Sequence, residues 1–405
     1  MTQFIETLVG IFQSSGFAKF GEPGGWLYAV MICVGCFLLY LAIVKEFEPL
    51  ILLPMAFGMI LANLPGSGVI HMQYFVGDGL EHPMWVEILN NGGLADMLYM
   101  GVKLGIYPPL IFLGIGTMTD FAPLISNPKS LLLGAAAQFG IFGTYMGARL
   151  LAATGLVDFT QKQSAAIAII GGADGPTAIF VTSRLAPELL GSIAVAAYSY
   201  MALVPIVQPP VIKLLTTRKE RRIRMSYEKG SVSQLTKILF PVVVTVVAGL
   251  VAPASVALVG FLMFGNLLRE CGVLNSLSET AQNVLANLIT LLLGLTVAGQ
   301  MTADKFVRPD TLLIMALGLV AFIFDTAGGV LFAKLLNLFL PEGKKLNPMI
   351  GAAGISAFPM SGRVVNKMGL AEDSQNFLLM YSISVNVSGQ IASVLAGGLI
   401  LSLMA

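Results

Sequence analysis

Charged residues are scarce in this chain, and their scarcity excludes most classes of soluble protein. Of 405 residues only 11% are charged and 56% are hydrophobic, and the mean hydropathy is +0.84. Soluble domains carry about 25% charged residues, and a soluble chain this apolar could not cover its surface with polar groups. The formal net charge of +1 provides no overall basic field, so nucleic acid is not expected as a partner. The composition predicts a polytopic membrane protein in contact with lipid.

Cysteine and histidine are almost absent, which excludes several kinds of site. The chain holds three cysteines and two histidines, too few for a disulfide framework or a cluster of zinc or redox-metal ligands. Cys33 and Cys36 form a C-x-x-C spacing inside an apolar stretch, so we interpret them as packing residues. No P-loop, dinucleotide-binding or G-x-S-x-G motif occurs. The sequence therefore gives no sign of zinc, nucleotide-dependent or serine-hydrolase chemistry.

A basic loop divides the apolar part of the chain into two. About twelve apolar segments able to cross or re-enter a membrane lie between residues 26 and 403. We predict an interfacial N-terminal helix at 1–25, a first transmembrane half at 26–212, a basic loop at 213–236 and a second half at 237–405. The positive-inside rule places this loop in the cytoplasm. Contact with an acidic partner or with anionic lipid is its alternative role.

The two halves share short motifs in the same order. Gly116-Thr117-Met118-Thr119 corresponds to Gly299-Gln300-Met301-Thr302, and each is followed by an aspartate and later by a Gly-rich segment. The stretch 58–63 likewise parallels 260–266. Gly- or Pro-interrupted segments at corresponding positions of two halves are the sequence signal of a transporter binding site. We therefore predict an all-α membrane protein of two pseudo-repeated halves with discontinuous helices at the midplane. We expect the second half to be inverted relative to the first, since inversion is the commoner arrangement for such sites.

The segment Gly171-Gly172-Ala173-Asp174-Gly175-Pro176-Thr177 carries the strongest functional signal. It puts a carboxylate inside an apolar run, where a charge costs roughly 3 kcal/mol on insertion scales. Glycine and proline on both sides free backbone carbonyls that a regular helix would use. Carboxylate, hydroxyl, amide and carbonyl oxygens are the ligands of hard cations, so the segment predicts a sodium site. The alternative is a Gly-Pro kink with Asp174 as its cap.

Further candidate ligands lie in the second half. If the second Gly-rich segment, 347–363, faces Asp174, then Asn347, Ser356 and the backbone at Gly351 could complete the shell of the ion. A proton would compete with sodium at the same carboxylate oxygen. Asp325 is a second carboxylate within an apolar run, and the sequence after it is Thr326-Ala327-Gly328-Gly329. It is either a second ion ligand or a structural hydrogen-bonding group.

Two other polar side chains need an account. The guanidinium of Arg363 stays charged at any working pH, so it could hold an anionic substrate, pair with a carboxylate, or extend to a cytoplasmic surface near Lys367. Tyr200 lies within an apolar segment and its phenol could donate to or ligate a group at the site. Packing or anchoring at the membrane interface is its alternative role.

These residues lie in motifs that resemble one known family over nearly the whole chain. The chain resembles the integral-membrane beta subunit of the sodium-pumping biotin-dependent decarboxylases, which act on oxaloacetate, methylmalonyl-CoA, glutaconyl-CoA or malonate. The resemblance is carried by KEFEPLILLP (45–54), MTDFAPLISNP (118–128), LLLGAAAQFGIF (131–142), IIGGADGPTAIF (169–180), APELLGSIAVAAYSYMALVPIVQPP (186–210), FGNLLRECGV (264–273) and LNPMIGAAGISAFPMSGRVVNKMGL (346–370).

The resemblance implies a function that spacing alone does not give. It implies that a partner subunit delivers carboxybiotin, which loses carbon dioxide at this subunit with consumption of a proton, and that this step drives sodium outward across the bacterial inner membrane. It implies a sodium and proton role for Asp174 and a donor role for Tyr200. It also implies functional positions at Asn347, Gly351, Ser356 and Arg363, with Arg363 as the candidate contact for carboxybiotin.

The resemblance also implies partners. They are a biotin-carrying carboxyltransferase, a small membrane-anchored subunit, membrane lipid and, as an open question, further copies of the chain. No Met-Lys-Met biotinylation site occurs, so biotin is not expected on this chain. A sodium-coupled secondary transporter or sodium/proton antiporter is the alternative function, since it would use the same Asp174. A membrane anchor without catalytic function is disfavoured, because an anchor gains nothing from buried charge.

Overall fold

The described part of the chain is helical throughout. The computed structural model describes residues 7, 10–13, 15–46, 48–75, 83–225, 232–302, 308–357 and 359–404. Within these ranges the ordered elements are helices, with no β-strand, and the predicted all-α class is confirmed. Most of the predicted interfacial segment 1–25 before residue 15 lies outside the described residues; its described end forms one short helix, Gly16–Phe20.

The α-helices are numbered here in chain order. They are α1 (Gly16–Phe20), α2 (Trp26–Ile43), α3 (Pro49–Ala62), α4 (Trp85–Asn91), α5 (Leu94–Lys103), α6 (Tyr107–Met118), α7 (Ala122–Ser126), α8 (Lys129–Ala137), α9 (Phe139–Ala153), α10 (Gln161–Ala168), α11 (Gly175–Leu185), α12 (Leu190–Leu215), α13 (Arg218–Arg221), α14 (Gln234–Val251), α15 (Val256–Glu270), α16 (Asn275–Thr280), α17 (Ala286–Val297), α18 (Pro309–Phe339), α19 (Met360–Glu372) and α20 (Leu379–Met404).

Several of these helices are long and apolar enough to cross a membrane. Among the described residues six helical stretches meet that criterion, or eight when each of two bent helix pairs counts as one span. The number is smaller than the twelve apolar segments of the sequence because several of those segments are short or interrupted helices. The predicted segment around 164–183, for example, is α10, a short 3₁₀ turn and α11. A multi-pass membrane protein is the class that this helix set supports.

The chain folds into two compact units. The first comprises residues 1–107, 190–192 and 288–313; the second comprises 108–189, 193–287 and 314–405. In the first unit α3 packs against α2 and against the 3₁₀ turn Ala298–Gln300. In the second unit α20 is the central helix, because α8, α11, α19 and the 3₁₀ segment Pro348–Gly354 all pack on it.

Each unit contains one contact between segments that the sequence comparison of the halves singled out. In the first unit Asn63 Nδ2 donates to the carbonyl of Met301 at 2.7 Å. In the second, Asn266 Nδ2 donates to the carbonyl of Thr119 at 3.2 Å. The two asparagines thus bond to carbonyls at the third residue of one Gly-x-Met-Thr segment and the fourth residue of the other. The pseudo-repeat and its inversion stay a prediction.

Two interrupted helices meet in the second unit and position the candidate site. The 3₁₀ turn Ile169–Gly172 ends at Ala173, whose φ of +50° reverses the chain before α11 begins. A non-glycine residue in this left-handed region is uncommon and marks local strain of the kind found at functional sites. The 3₁₀ segment Pro348–Gly354 ends just before Ser356, and Ser356 N donates to the carbonyl of Gly172 at 2.9 Å. This backbone bond joins the two breaks.

Candidate functional site

Asp174 is the buried acidic residue at the first break. It is the N-cap of α11, and its Oδ1 accepts the backbone N–H of Thr177 at 3.1 Å. Its Oδ2 accepts three hydroxyls: Thr177 Oγ1 at 2.8 Å, Ser393 Oγ at 2.9 Å and Ser356 Oγ at 3.3 Å. The residue is 6% exposed. Four donors on one buried carboxylate, three of them hydroxyls, exceed what a simple helix cap requires.

The three hydroxyls reach Asp174 from different parts of the second unit. Thr177 is in the first turn of α11, Ser356 follows the second break and Ser393 lies in the middle of α20. A hydroxyl donates one hydrogen bond and also carries acceptor lone pairs, and its hydrogen can rotate. The same three oxygens can therefore donate to a bare carboxylate or turn their lone pairs to a cation bound there. This is the oxygen chemistry that a sodium ion prefers.

A cavity of about 270 Å³ opens beside Asp174. Its polar side chains are Asp174, Ser356 and Gln390, and the rest of its lining is largely apolar, including Phe112, Ile115, Met118, Met201 and the prolines 176 and 359. Apolar walls limit hydration, which strengthens the attraction between a carboxylate and a cation. The cavity therefore suits a partly dehydrated small cation better than a free anion.

Three amide side chains bind the unwound backbone at the second break: Gln208 from α12, Asn386 from α20 and Gln138 from the junction between α8 and α9. Their nitrogens lie 2.6–3.2 Å from the carbonyl oxygens that they satisfy: Gln208 with Ala352, Asn386 with Ala353 and Ile355, and Gln138 with Gly354. Backbone groups at this depth have no water to bond, so the amides replace the missing helix bonds. The sequence interpretation missed all three amides. The signal that could have found them is an uncharged amide within an apolar segment.

Of the predicted ligands in the second segment, Ser356 is the one that bonds to Asp174. Asn347 Nδ2 donates to the carbonyls of Arg221 and Ile223, both at 2.9 Å, and its Oδ1 accepts Met349 N at 3.1 Å. Asn347 therefore ties the basic loop to the start of the 3₁₀ segment instead of contacting Asp174. A role for Asn347 as a sodium ligand stays a prediction that this arrangement does not support.

Gly351 has a packing function in the structure. A Cβ on Gly351 would lie 2.0 Å from the carbonyl oxygen of Gly329 in α18. The 3₁₀ segment can approach α18 this closely only because both positions are glycine. The predicted use of the Gly351 backbone as an ion ligand stays untested.

The two tyrosines of the Tyr198-Ser199-Tyr200 stretch have different surroundings. The hydroxyl of Tyr200 donates to the carbonyl of Met315 in α18, so the structure places it away from the bonds around Asp174. Tyr198 is the tyrosine that lies against the first break: a Cβ on Gly175 would be 2.1 Å from its ring. Sequence reasoning selected Tyr200 and gave Tyr198 no role. Which of the two tyrosines faces the break depends on how α12 is rotated about its own axis relative to the neighbouring helices. The sequence does not determine that rotation.

Asp325 lies behind the first break. Its Oδ1 accepts Ile141 N at 3.1 Å, while its Oδ2 has no hydrogen-bond partner among the described residues. Gly140 and Gly171 pack directly on the carboxyl group, and a Cβ at either would clash with it. Asp325 makes no bond to the Asp174 cluster, and its predicted role as an ion ligand stays untested.

Arg363 is in the first turn of α19 and is exposed. It follows Pro359, which lines the cavity, by one helical turn, and Lys367 is one turn further along the same face of α19. Among the described residues its side chain has no ion-pair partner. Arg363 and Lys367 thus form a positively charged strip of exposed residues on α19, which begins one helical turn from the cavity-lining Pro359.

The basic loop is bound to the far end of α19. Arg221 Nε pairs with Glu372 at 2.7 Å and Arg224 Nε with Asp373 at 2.6 Å. The hydrogen bond from Arg221 lowers the pKa of Glu372, and the bond from Arg224 lowers the pKa of Asp373. Both carboxylates therefore remain ionised and hold the loop at neutral pH.

Comparison with known proteins agrees with the resemblance seen in the sequence motifs. Residues 28–404 match the model of the Na⁺-transporting oxaloacetate decarboxylase beta subunit. A methylmalonyl-CoA decarboxylase beta subunit of Propionigenium modestum is 50% identical over 98% of this chain and 99% of its own length. A glutaconyl-CoA decarboxylase beta subunit of Acidaminococcus fermentans is 48% identical over 100% and 99%. An oxaloacetate decarboxylase beta chain of Klebsiella pneumoniae is 46% identical over 98% and 99%. This chain belongs to the beta-subunit family of the Na⁺-transporting decarboxylases.

Proposed function

We propose that this subunit decarboxylates carboxybiotin delivered by a partner subunit, and that it couples this reaction to sodium export with consumption of one proton. Its family makes it the membrane decarboxylase subunit of a sodium pump. The proposal adds three points to this assignment: the partner delivers carboxybiotin, the reaction consumes a proton, and sodium moves outward. The observation that carries the proposal is the buried Asp174 carboxylate, surrounded by hydroxyl oxygens beside a cavity.

Asp174 can link the two transported ions because it offers one negative charge to both. A sodium ion and a proton compete for the same carboxylate oxygens, so binding of one displaces the other. The hydroxyls of Thr177, Ser356 and Ser393 support either state, since each can donate to the carboxyl group or ligate the ion with its lone pairs. Sodium release is thereby tied to proton uptake at one site.

The decarboxylation itself requires a proton. The bond between the carboxyl carbon and the ureido nitrogen of carboxybiotin breaks, carbon dioxide leaves, and the electron pair stays on the nitrogen, which then takes a proton. The proton bound at Asp174 is the one we assign to this step, since the carboxylate left behind can bind the next sodium ion. Because the reaction consumes the proton, that proton cannot return to Asp174 and displace the newly bound sodium ion.

Arg363 is the residue we assign to the incoming carboxybiotin. Its guanidinium is charged, exposed and close in sequence to a cavity-lining proline, and it has no ion-pair partner among the described residues. A guanidinium can bind a carboxylate through two parallel hydrogen bonds, which a lysine cannot do. The strip of Arg363 and Lys367 would guide the anionic carboxybiotin toward the Asp174 cavity.

The proposal includes a setting for the subunit. We assign it to the bacterial inner membrane with loop 213–236 in the cytoplasm, where its arginines follow the positive-inside rule. The biotin carrier belongs to a carboxyltransferase partner, and a small membrane-anchored subunit completes the complex. The relatives are named for three different acids or acyl-CoA esters, which fits a substrate specificity located in another subunit.

The test is sodium-dependent decarboxylation of free carboxybiotin by the purified membrane complex. We expect sodium to stimulate carbon dioxide release by the wild type, and Asp174→Asn to abolish the stimulation because the amide is neutral. Asp158→Asn, an exposed carboxylate of the same unit, is the matched control and should behave as wild type. Sodium/proton exchange in vesicles without any carbon dioxide release would instead identify a secondary transporter and contradict the proposal.

A further inference from the structure

One polar side chain in the Asp174 cavity has an oxygen with no hydrogen-bond partner among the described residues. Gln390, in α20, is 2% exposed and lines the cavity with Asp174 and Ser356. Its amide oxygen Oε1 is buried and has no hydrogen-bond partner among the described residues. A buried acceptor without a partner loses its hydrogen bonds to water without replacement, so unsatisfied groups of this kind need an explanation. A ligand that enters the cavity would satisfy it.

The helix itself directs Gln390 to the carboxylate. Gln390 and Ser393 are three residues apart, so they share one face of α20. Ser393 Oγ lies 2.9 Å from Asp174 Oδ2 and 3.0 Å from the Gln390 carbonyl, so its single hydrogen has two alternative acceptors. The helix face that presents the hydroxyl of Ser393 to Asp174 therefore also carries Gln390, which lines the same cavity.

The chemistry of the cavity selects a cation as the missing ligand. An amide oxygen is an uncharged acceptor with two lone pairs, and hard cations such as sodium bind oxygens of this type together with a carboxylate. The largely apolar lining offers few waters to complete a hydration shell, so protein oxygens must replace them. An anion would meet the charge of Asp174 with no basic side chain in the cavity wall.

We propose that Gln390 Oε1 is a ligand of the sodium ion bound by Asp174, together with the hydroxyl oxygens of Ser356 and Ser393. This inference rests on the proposed function, which places the transported sodium at Asp174. It assigns α20 a direct part in ion selection: one carboxylate supplies the charge, and a neutral amide and two hydroxyls define the size and geometry of the shell. Because the other ligands are neutral, protonation of the single carboxylate removes the negative charge of the site, and the sodium ion can then leave.

The test compares Gln390→Met with wild type in the purified complex. Methionine is similar in length and flexibility but has no oxygen, so we expect the sodium concentration for half-maximal decarboxylation to rise about tenfold. The rate at saturating sodium should stay within about twofold, because the loss is one of ion affinity. The sodium-dependent rise in melting temperature should move to higher sodium concentrations by the same factor. Ser388→Ala is the matched control with unchanged sodium dependence, because Ser388 is another buried polar position of α20 whose hydroxyl has no hydrogen-bond partner within the described part of the chain.

A merely structural role for Gln390 would lower the melting temperature equally at all sodium concentrations. The assignment of Gln390 as a sodium ligand would be overturned by that result together with an unchanged sodium concentration for half-maximal decarboxylation in Gln390→Met. A raised value in Ser393→Ala would show in the same experiment that the Asp174 site itself binds sodium. Should Gln390→Met fail to assemble, Gln390→Glu provides the second test. A second carboxylate at the site should make half-saturating sodium fall more steeply between pH 6 and pH 8 than it does in wild type, and a pH profile identical to that of wild type would contradict the inference. Wild-type sodium dependence in Asp174→Asn would instead refute the proposed function itself.

Discussion

Replacing Asn386 by leucine is expected to disrupt the second break and weaken sodium binding. Asn386 is fully buried, and its Nδ2 lies within hydrogen-bond distance of three acceptors, Ala353 O at 3.0 Å, Ile355 O at 2.6 Å and Ser361 Oγ at 2.9 Å. The amide has two hydrogens, so it donates two full bonds at a time. Leucine has a similar shape but no donor. The Ile355 carbonyl would lose its side-chain donor, at about 1–3 kcal/mol, and the second lost bond would add about 1 kcal/mol. The total destabilisation is about 2–4 kcal/mol.

The assay is the melting temperature of the purified complex together with its sodium dependence. A loss of this size in a protein of this length corresponds to a drop in melting temperature of about 2–5 °C. Because Ile355 directly precedes Ser356, the released backbone should also move the Ser356 hydroxyl from Asp174, so half-saturating sodium should rise. Ser384→Ala removes a single bond of the same helix, to Pro123 O at 3.1 Å, and should leave sodium dependence unchanged.

The reasoning would be refuted by an Asn386→Leu complex that melts and responds to sodium like wild type. Such a result would mean that the unwound carbonyls need no side-chain donors. A lower melting temperature with wild-type sodium dependence would support the stabilising role of Asn386 but contradict its effect on Ser356.

Three further changes have specific expected outcomes. Ser393→Ala should raise half-saturating sodium about tenfold, as measured by decarboxylation, because it removes a 2.9 Å hydrogen bond to a buried charge; an unchanged value would remove Ser393 from the ion site. Gly351→Ala should prevent stable assembly, measured by size-exclusion chromatography, since its Cβ would lie 2.0 Å from the Gly329 carbonyl; a wild-type elution profile would contradict the close packing. The bond from Arg221 lowers the pKa of Glu372, so the pair stabilises the folded protein above the unfolded pKa of about 4.3 and is lost as pH falls through the lower folded value. Glu372→Gln should therefore melt below wild type at pH 7, and the difference should vanish toward pH 3; a constant difference would show that the loop contact does not depend on this charge.

Much of the fold class and one half of the site could be predicted from local sequence. The break around Asp174 is local, because glycine, aspartate and proline within seven residues dictate where the helix stops and restarts. The second break at 347–356 is local for the same reason. The structure brings Ser356 into hydrogen-bond contact with Asp174, and its role as a sodium ligand stays a prediction. The expectation for Asn347 differed from the structure because its partners, Arg221 and Ile223, belong to a loop that sequence spacing could not place against it.

The sequence by itself determined the membrane setting, the all-helical class and the one carboxylate placed at a helix break, since each depends on composition or on residues adjacent in the chain. Only the tertiary structure decided which neutral groups surround that carboxylate. Ser393 is 219 residues from Asp174 along the chain. Gln390 and Asn386 lie in α20, Gln208 in α12 and Gln138 between α8 and α9. An amide or hydroxyl on an apolar helix can face lipid, core or site with the same local sequence. Its role depends on which helix packs opposite to it, and that packing is set by long-range contacts that no local pattern records.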